Sequence, residues 1–185
     1  FLFYTPHRMS IDNARNSAAK IAIEADCDYI LMLDDDVIVP MDGYSKLRNA
    51  DKDVVAGVTY TRAYPFPMMA FREQNNDLEC VELDTRIDEP QEVFALGFSF
   101  CLIKIEVLKK LEAPWFVTIH DRCTEDIYFC HLVKGKFPET SIFVHTGVHT
   151  SHILTPEVVH PSNVKTLREM YSQGRALPET CVLKN

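Results

Sequence analysis

The sequence of 185 residues lacks several features that mark particular protein classes. No apolar run approaches the ~18 residues of a membrane-spanning helix, so we predict no transmembrane segment. The longest apolar run, from 93 to 103, is interrupted by Gly97 and Ser99, and no signal peptide is visible. Basic residues are outnumbered, with 19 Lys and Arg against 27 Asp and Glu. The net charge of −8 argues against a nucleic-acid polymer as the main ligand.

The cysteines lack the C-x-x-C spacing that is typical of a zinc knot. Several lie within apolar stretches, where cysteine acts as a small hydrophobic side chain. We therefore expect a reduced, cytoplasmic protein, and the sequence assigns no disulfide pairing. The six cysteines are Cys27, Cys80, Cys101, Cys123, Cys130 and Cys181.

Composition and periodicity predict one α/β domain. The sequence is 46% hydrophobic and 25% charged, which is enough to bury an ordinary core. Ile11, Ala14 and Ala18 recur at helical spacing after Ser10, which is a suitable N-cap. Strands that alternate with helices imply parallel pairing. The elements predicted first are strand 1–4, helix 11–25, strand 29–33, helix 43–50 and strand 54–60.

The rest of the sequence predicts shorter strands and a polar tail. We expect the domain to span 1–155 and the tail, over 156–185, to serve as a lid or docking arm. The sequence does not indicate the oligomeric state. The later predicted elements are strands 69–72, 78–83 and 95–105, helices 106–111 and 124–135, strands 141–144 and 147–153, and a helix over 164–171.

The most informative segment is an apolar run, 29–33, that ends in Asp34, Asp35 and Asp36. Adjacent carboxylates repel one another, and a divalent cation would remove that cost because hard cations take oxygen ligands. In an extended strand Asp34 and Asp36 would share a face, with Cα atoms roughly 6.6 Å apart. That separation favours one direct metal ligand and one outer-shell or substrate contact. The alternative is an acidic turn that binds nothing.

A second acidic segment, Thr124, Glu125 and Asp126, precedes an apolar stretch. These residue types are preferred at the start of a helix, so N-capping alone would explain them. Together with the three aspartates, they also predict a catalytic carboxylate. A general base must be held rigidly near the reacting hydroxyl, and the first turn of a packed helix is rigid.

Histidines and arginines supply the remaining candidates. His145, His149 and His152 are potential metal ligands, although their spacing is not a metal signature by itself. Arg8 and Arg15 precede the aspartates along the chain. We expect Arg15 either to contact a diphosphate or to hold the aspartates in place. The alternative is a solvated helix face or a structural ion pair.

In their order and spacing, these segments resemble GT-A-type glycosyltransferases, most closely the compact phage-like or family-2-like group. The resemblance covers roughly residues 8 to 153. It implies a Rossmann-like α/β fold, with a mixed, mainly parallel sheet flanked by helices. The matching segments are Ile11-Asp12-Asn13-Ala14-Arg15-Asn16, 29–36, Asp53-Val54-Val55-Ala56-Gly57, 97–103, Pro114-Trp115-Phe116, Thr124-Glu125-Asp126-Ile127-Tyr128-Phe129-Cys130 and Ser151-His152-Ile153.

The resemblance implies roles for the residues on the donor side. Asp34 to Asp36 match the D-x-D motif, so Asp34 would face the ribose or base of a nucleotide sugar. Asp36 would ligate Mn²⁺ or Mg²⁺, with Asp34 also near the ion. His152 matches the late metal-binding histidine of the family better than His149 does. The implied nucleotide-sugar contacts are Arg8, Arg15, Asp34 and Asp35.

The resemblance also implies roles on the acceptor side. Glu125 and Asp126 match the acidic pair of inverting members, and Asp126 is the favoured base by analogy with the Thr-Glu-Asp motif of processive relatives. Gly97 and Phe98 match a segment that lines the acceptor side, and Trp115 would stack on an acceptor sugar.

The implied activity is a metal-dependent, inverting transfer of a sugar from a nucleotide-diphosphate sugar to a hydroxyl. A UDP-sugar is the favoured donor, and a glycan or another hydroxyl compound is the acceptor. Family members begin with another strand and helix, so we expect either a missing N-terminus or a reduced domain, of viral or bacterial origin. The alternatives are a non-catalytic sugar- or nucleotide-binding domain and a sugar-phosphate nucleotidyltransferase, whose Gly-rich phosphate loop is not seen near the first strand.

Overall fold

The computed structural model of the protein describes residues 1–75, 77–120, 122–154 and 157–173. Its helices are α1 (Ile11–Glu24), α2 (Gly43–Asn49), α3 (Ile105–Lys109), α4 (Glu125–Lys136) and α5 (Val164–Ser172). Its strands are β1 (Tyr29–Leu33), β2 (Val37–Ile38), β3 (Val54–Val58), β4 (Ala70–Gln74), β5 (Asp77–Cys80), β6 (Pro90–Glu92), β7 (Ala95–Leu96), β8 (Phe100–Lys104), β9 (Ile142–His149), β10 (Ser151–Leu154) and β11 (Glu157–Val159).

The main sheet has five strands in the order β1-β8-β3-β9-β6. Among these strands only β3 and β9 pair in parallel, and the other three pairs are antiparallel. The prediction of a mainly parallel sheet is therefore wrong, although the mixed α/β class is confirmed. The physical reason is that β8 returns between β1 and β3 and runs opposite to both. The strand–helix–strand order of the first sixty residues holds no sign of this later insertion.

Two three-stranded sheets flank the main one, β11-β10-β2 and β5-β4-β7. In the first of these, His152 of β10 pairs with Val37 of β2, which directly follows the acidic turn. In the second, the β4–β5 hairpin is joined to β7. The first small sheet thereby brings a histidine from late in the chain beside the aspartates.

Most predicted elements are present, with ends that differ by a few residues. The strand predicted over 1–4 is wrong, since no described strand pairs with this segment and the side chains of Phe1 and Phe3 are exposed. A strand needs a partner for its backbone groups, and the contacts of this segment are made by side chains, between the rings of Phe1 and Tyr44 and from the Tyr4 hydroxyl to the sulfur of Met9. Its apolar residues alone made it look like a buried strand.

The core lies between the main sheet and the helices on it. Helix α1 buries Ala19 and Ala22 against this core, as its apolar spacing predicts. Arg15 lies among the buried residues of the same helix. The first turn of α4 likewise buries Glu125 and Asp126. Two helices thus carry charged groups into the interior, where they would be costly unless they are paired.

The tail packs on the loop that follows β3. The ring of Tyr171 lies edge-on to Phe66, with centroids 4.9 Å apart. Arg168 donates to the backbone oxygens of Pro65 and Phe66 at 2.9 and 2.8 Å. The predicted helix of the tail is confirmed as α5, while its role as a lid or docking arm stays a prediction. Residues 174–185, which include Cys181, lie outside the described residues.

Within the part of the chain that the structure describes, no helix is long and apolar enough to cross a membrane. The cysteines of this part are free thiols, and burial raises the pKa of Cys130 to about 12. A raised pKa keeps a thiol protonated and unreactive, so Cys130 acts as core packing.

Candidate active site

The three aspartates form a tight turn between β1 and β2. The backbone N–H of Asp34 donates to the oxygen of Ser99 at 2.9 Å, and Ile153 N–H donates to the backbone oxygen of Asp36 at 2.9 Å. The turn is therefore tied to the start of β8 on one side and to β10 on the other. Because the chain bends here, the Cα separation of roughly 6.6 Å that an extended strand would give between Asp34 and Asp36 does not apply.

Arg15 joins Asp34 to Glu125, and we call these three residues the inner ion cluster. Its Nη2 lies 3.1 Å from Asp34 Oδ1, and its Nε lies 3.2 Å from Glu125 Oε1. The guanidinium carbon lies 5.3 Å from the ring centroid of Phe98. Arg15 Nη1 is buried and has no hydrogen-bond partner among the described residues. One arginine thus links the turn after β1 to the start of α4 and keeps one donor unused.

Burial and neighbouring charges shift the titration of the inner ion cluster. Burial raises the pKa of Asp34, Arg15 opposes the rise, and the charges of Asp36 and Asp126 add to it. Burial also raises the pKa of Glu125, again opposed by Arg15 and increased by Asp126. The charges of neighbouring carboxylates therefore reach both Asp34 and Glu125, and Arg15 is the basic side chain that opposes them.

Asp126 is held at the start of α4. Its Oδ1 accepts a hydrogen bond from Ile127 N–H at 2.8 Å and another from the Thr124 hydroxyl. Thr124 occupies the N-cap position with extended backbone, but its side chain caps no backbone group. The hydroxyl that was expected to cap the helix positions the carboxylate of Asp126 instead.

A second group, the outer ion cluster, consists of Asp36, Arg62 and His152. Asp36 Oδ2 lies 2.7 Å from Arg62 Nη1, and Asp36 Oδ1 lies 3.3 Å from His152 Nε2. His152 Nδ1 lies 2.8 Å from the backbone oxygen of Tyr60. A carbonyl oxygen only accepts, so Nδ1 must carry a proton. Nε2 is then the ring nitrogen that faces the carboxylate of Asp36.

The outer ion cluster offers two ligands to a divalent cation. Asp36 Oδ1 and His152 Nε2 lie 3.3 Å apart, and either a proton on Nε2 or a cation between the two atoms would make this contact favourable. Metal-bound histidines commonly donate their other ring nitrogen to a backbone carbonyl, as His152 does. No group of three or more His, Cys, Asp or Glu suited to a metal occurs among the described residues. Asp36 and His152 would therefore supply two ligands, and the others would come from substrate and water.

The other two candidate histidines have contacts elsewhere. His145 Nδ1 lies 3.7 Å from Asp88 Oδ1, and burial lowers the pKa of His145. His149 Nε2 lies 2.8 Å from the backbone oxygen of Thr146. His152 is the one of the three that contacts the acidic turn.

The residues predicted for the acceptor side are largely buried. Phe98 is fully enclosed and packs edge-on against Phe116, with centroids 5.9 Å apart. The indole N–H of Trp115 donates to the backbone oxygen of Leu108 at 3.0 Å. Gly97 lies in the short link between β7 and β8. Their acceptor role stays a prediction, as does nucleotide binding by Arg8 and Asp35, whose side chains are exposed.

An open cavity of about 490 Å³ adjoins the start of α4. It lies between the β4–β5 hairpin and the segment that leads to Thr124. The lining includes both apolar and polar side chains, namely Phe71, Leu78, Thr118, Ile119, His120, Arg122, Cys123, Thr124 and Ile127. Thr124 lies in this lining and also donates to the carboxylate of Asp126.

One residue of the site, Arg62, was missed in the sequence analysis. Arg62 has no local motif, because only the pairing of β10 with β2 places His152 and Asp36 beside it. Asn16, which follows Arg15 in a matching segment, donates through its Nδ2 to the backbone oxygen of Phe116 at 2.6 Å, and its Oδ1 accepts the N–H of Trp115 at 2.9 Å.

Comparison with known proteins shows a shared fold. No family model matches the sequence, and no curated protein matches it significantly. The crystal structure of A197 from STIV is similar, with a TM-score of 0.60 and 23% identity over 83% of this chain and 76% of that one. GalNAc-T7, in a structure with UDP, GalNAc and Mn²⁺, is also similar, with a TM-score of 0.56 and 15% identity. That match covers 82% of this chain and 32% of the GalNAc-T7 chain.

Proposed function

We propose that the protein is a metal-dependent glycosyltransferase with a GT-A fold, which moves a sugar from a nucleotide-diphosphate sugar to an acceptor hydroxyl. One observation carries the proposal. The fold brings Asp36 and His152, a pair suited to a cation, beside a second group of buried carboxylates, Glu125 and Asp126, around Arg15. A transferase of this kind needs both a positive charge for the leaving group and a base for the acceptor.

The fold comparison supports the donor class. GalNAc-T7 holds UDP, GalNAc and Mn²⁺ on a fold similar to this one. A UDP-sugar with Mn²⁺ is therefore the first donor to test here, and Mg²⁺ is the second ion. The net charge of −8 also favours a bridging cation where a diphosphate approaches the aspartates.

In the proposed reaction, each step has its own residue. Asp36 and His152 would hold the cation, which when bound neutralises the charge that develops on the diphosphate. Asp126, held through its Oδ1, takes the proton from the acceptor hydroxyl. The hydroxyl oxygen bonds to the anomeric carbon as the bond from that carbon to the diphosphate oxygen breaks, with inversion. Arg15 keeps Asp34 and Glu125 in place and neutralises part of their charge.

The first experiment is calorimetric titration with UDP, with and without Mn²⁺. We expect binding that requires Mn²⁺ and that Asp36→Ala abolishes. Asp84→Asn is the matched control, because Asp84 is also an aspartate paired with an arginine, Arg86, on an exposed surface. Failure of the wild-type protein to bind UDP or GDP in either condition would contradict the proposal.

The second experiment measures UDP release from UDP-sugars in the presence of Mn²⁺. Asp126→Asn should lower turnover by a factor of about 10² to 10⁴, the usual contribution of a general base. UDP binding by this variant should be nearly unchanged. Metal-dependent binding without turnover of any donor would indicate a non-catalytic binding domain instead.

A further inference from the structure

We propose that Arg62 is the counter-ion of Asp36 when no metal is bound, and that a divalent cation displaces it from Asp36. The displaced guanidinium then binds the diphosphate of the donor. The inference rests on the proposed function for its second half. Its first half, competition between Arg62 and a cation for Asp36, depends only on the outer ion cluster. Arg62 belongs to none of the segments that resemble glycosyltransferases.

Arg62 is placed to compete with a cation. Its Nη1 lies 2.7 Å from Asp36 Oδ2, which is a close charge-assisted contact. The other oxygen of Asp36 faces His152 Nε2 at 3.3 Å. A cation held by Asp36 and His152 would stand next to the guanidinium, and two positive charges at that distance repel. Cation binding must therefore weaken the contact between Arg62 and Asp36.

Arg62 can leave Asp36 without disturbing the fold. Its side chain is 55% exposed, so an ordinary change of rotamer moves the guanidinium. The backbone of its loop is held independently, because Thr61 N–H donates to the oxygen of Pro67 at 3.0 Å and Arg168 binds the oxygens of Pro65 and Phe66. A movable charged group on a fixed base is suited to follow a ligand that arrives beside it.

A diphosphate is the ligand that fits the displaced guanidinium. The planar guanidinium donates two parallel hydrogen bonds to phosphate oxygens. A diphosphate that completes the coordination of a cation at Asp36 brings such oxygens within reach of Arg62. The same segment supplies the Tyr60 carbonyl that holds His152 Nδ1, so it positions the imidazole of His152 as well as carrying the guanidinium.

The test separates the two halves with Arg62→Gln. Binding of Mn²⁺ alone is followed by the loss of the electron paramagnetic resonance signal of the free ion. Binding of UDP is then measured calorimetrically at saturating Mn²⁺. The controls are Arg86→Gln, which changes an arginine in an exposed ion pair with Asp84, and Arg62→Lys, which keeps the charge. Far-ultraviolet circular dichroism and thermal unfolding verify that each variant is folded.

We expect opposite effects on the two ligands. Arg62→Gln should bind Mn²⁺ alone about two- to fivefold more tightly, since an exposed ion pair no longer competes. It should bind UDP with Mn²⁺ about 10- to 100-fold more weakly, since a charge-assisted contact is lost. Arg62→Lys should bind Mn²⁺ like the wild-type protein. Arg86→Gln should match the wild-type protein both in Mn²⁺ binding and in UDP binding.

Each contrary result overturns a defined part of the inference. Unchanged or weaker binding of Mn²⁺ by Arg62→Gln would overturn the counter-ion role. Unchanged binding of UDP with Mn²⁺ would overturn the diphosphate role, while the proposed function would stand. Tighter Mn²⁺ binding in the variant, with no UDP binding by either protein, would support the counter-ion role and contradict the proposed function. A wild-type protein that binds neither ligand would overturn both.

Discussion

The inner and outer ion clusters contain the same kinds of groups in opposite surroundings. In the inner cluster the side chains of Arg15 and Glu125 are only 7% and 6% exposed. In the outer cluster those of Arg62 and Asp36 are 55% and 30% exposed. The buried cluster fixes the positions of Asp34 and Glu125, and the exposed one leaves Asp36 free to exchange its partner. Burial, rather than residue type, separates a structural ion pair from one that can respond to a ligand.

The comparison predicts a large difference in stability between two identical substitutions. Arg15→Met should lower the free energy of unfolding by about 3 to 5 kcal/mol at neutral pH, because it leaves the buried Glu125 and the partly exposed Asp34 without their partner. Arg62→Met should lower it by about 1 kcal/mol or less, as is usual for exposed pairs. Urea denaturation of both variants measures the two effects.

Methionine keeps most of the aliphatic part of arginine, so the contrast reports on the charge. Arg86→Met, in an exposed ion pair, is the control for the substitution itself. If Arg15→Met and Arg62→Met destabilise the protein equally, the distinction between the two clusters fails.

A smaller effect concerns the pH dependence of the inner ion cluster. Burial raises the pKa of Glu125 above its ordinary value of 4.5, so the native state binds more protons than the unfolded state above that pH. Stability contributed by Glu125 is then complete at low pH and falls as the pH rises through the folded pKa. This fall should amount to about 1 kcal/mol of unfolding free energy per pH unit or less, and Glu125→Gln should remove it.

Denaturant titrations between pH 4 and pH 8, a range chosen to span the usual pKa values of carboxyl and imidazole groups, measure that slope. Glu24→Gln, which changes an exposed glutamate of α1, is the matched control and should follow the wild-type curve. An identical slope in the wild-type protein and Glu125→Gln would show that the inner cluster does not retain a proton.

The smallest effect is the salt sensitivity of the outer ion cluster. At about 1 M salt the screening length is about 3 Å, so an exposed pair loses most of its attraction. The tighter Mn²⁺ binding expected for Arg62→Gln should therefore disappear when the titration is repeated in 1 M salt, about ten times the usual ionic strength. If Arg62→Gln still binds Mn²⁺ more tightly than the wild-type protein in 1 M salt, competition between charges does not explain the effect of Arg62.

The sequence predicted the parts of the site that depend on local patterns. Helical spacing predicted α1, the apolar run predicted β1, and the resemblance favoured His152 over His149 as a metal ligand. The structure places His152 Nε2 3.3 Å from Asp36 Oδ1, and the role of His152 as a ligand stays a prediction.

The parts that were missed depend on how distant segments meet. The antiparallel insertion of β8 is decided by pairing with two strands far away in the sequence. For Arg15 the sequence allowed either a ligand contact or an ion pair, and only the approach of α4 to the turn shows that it pairs with both Asp34 and Glu125. Arg62 was missed because a single arginine after a strand has no pattern to distinguish it.

One side chain described above has a consequence for how the molecule opens. The amide of Asn16 holds the backbone of Trp115 and Phe116, about a hundred residues further along the chain. The neighbouring residue on the same helix is Arg15. The segment that leads to Asp126 therefore cannot detach without releasing its hold on α1, and local unfolding of this edge involves both as one cooperative unit. Asp126 and Arg15, which pairs with Asp34 and Glu125, are thus lost or kept together.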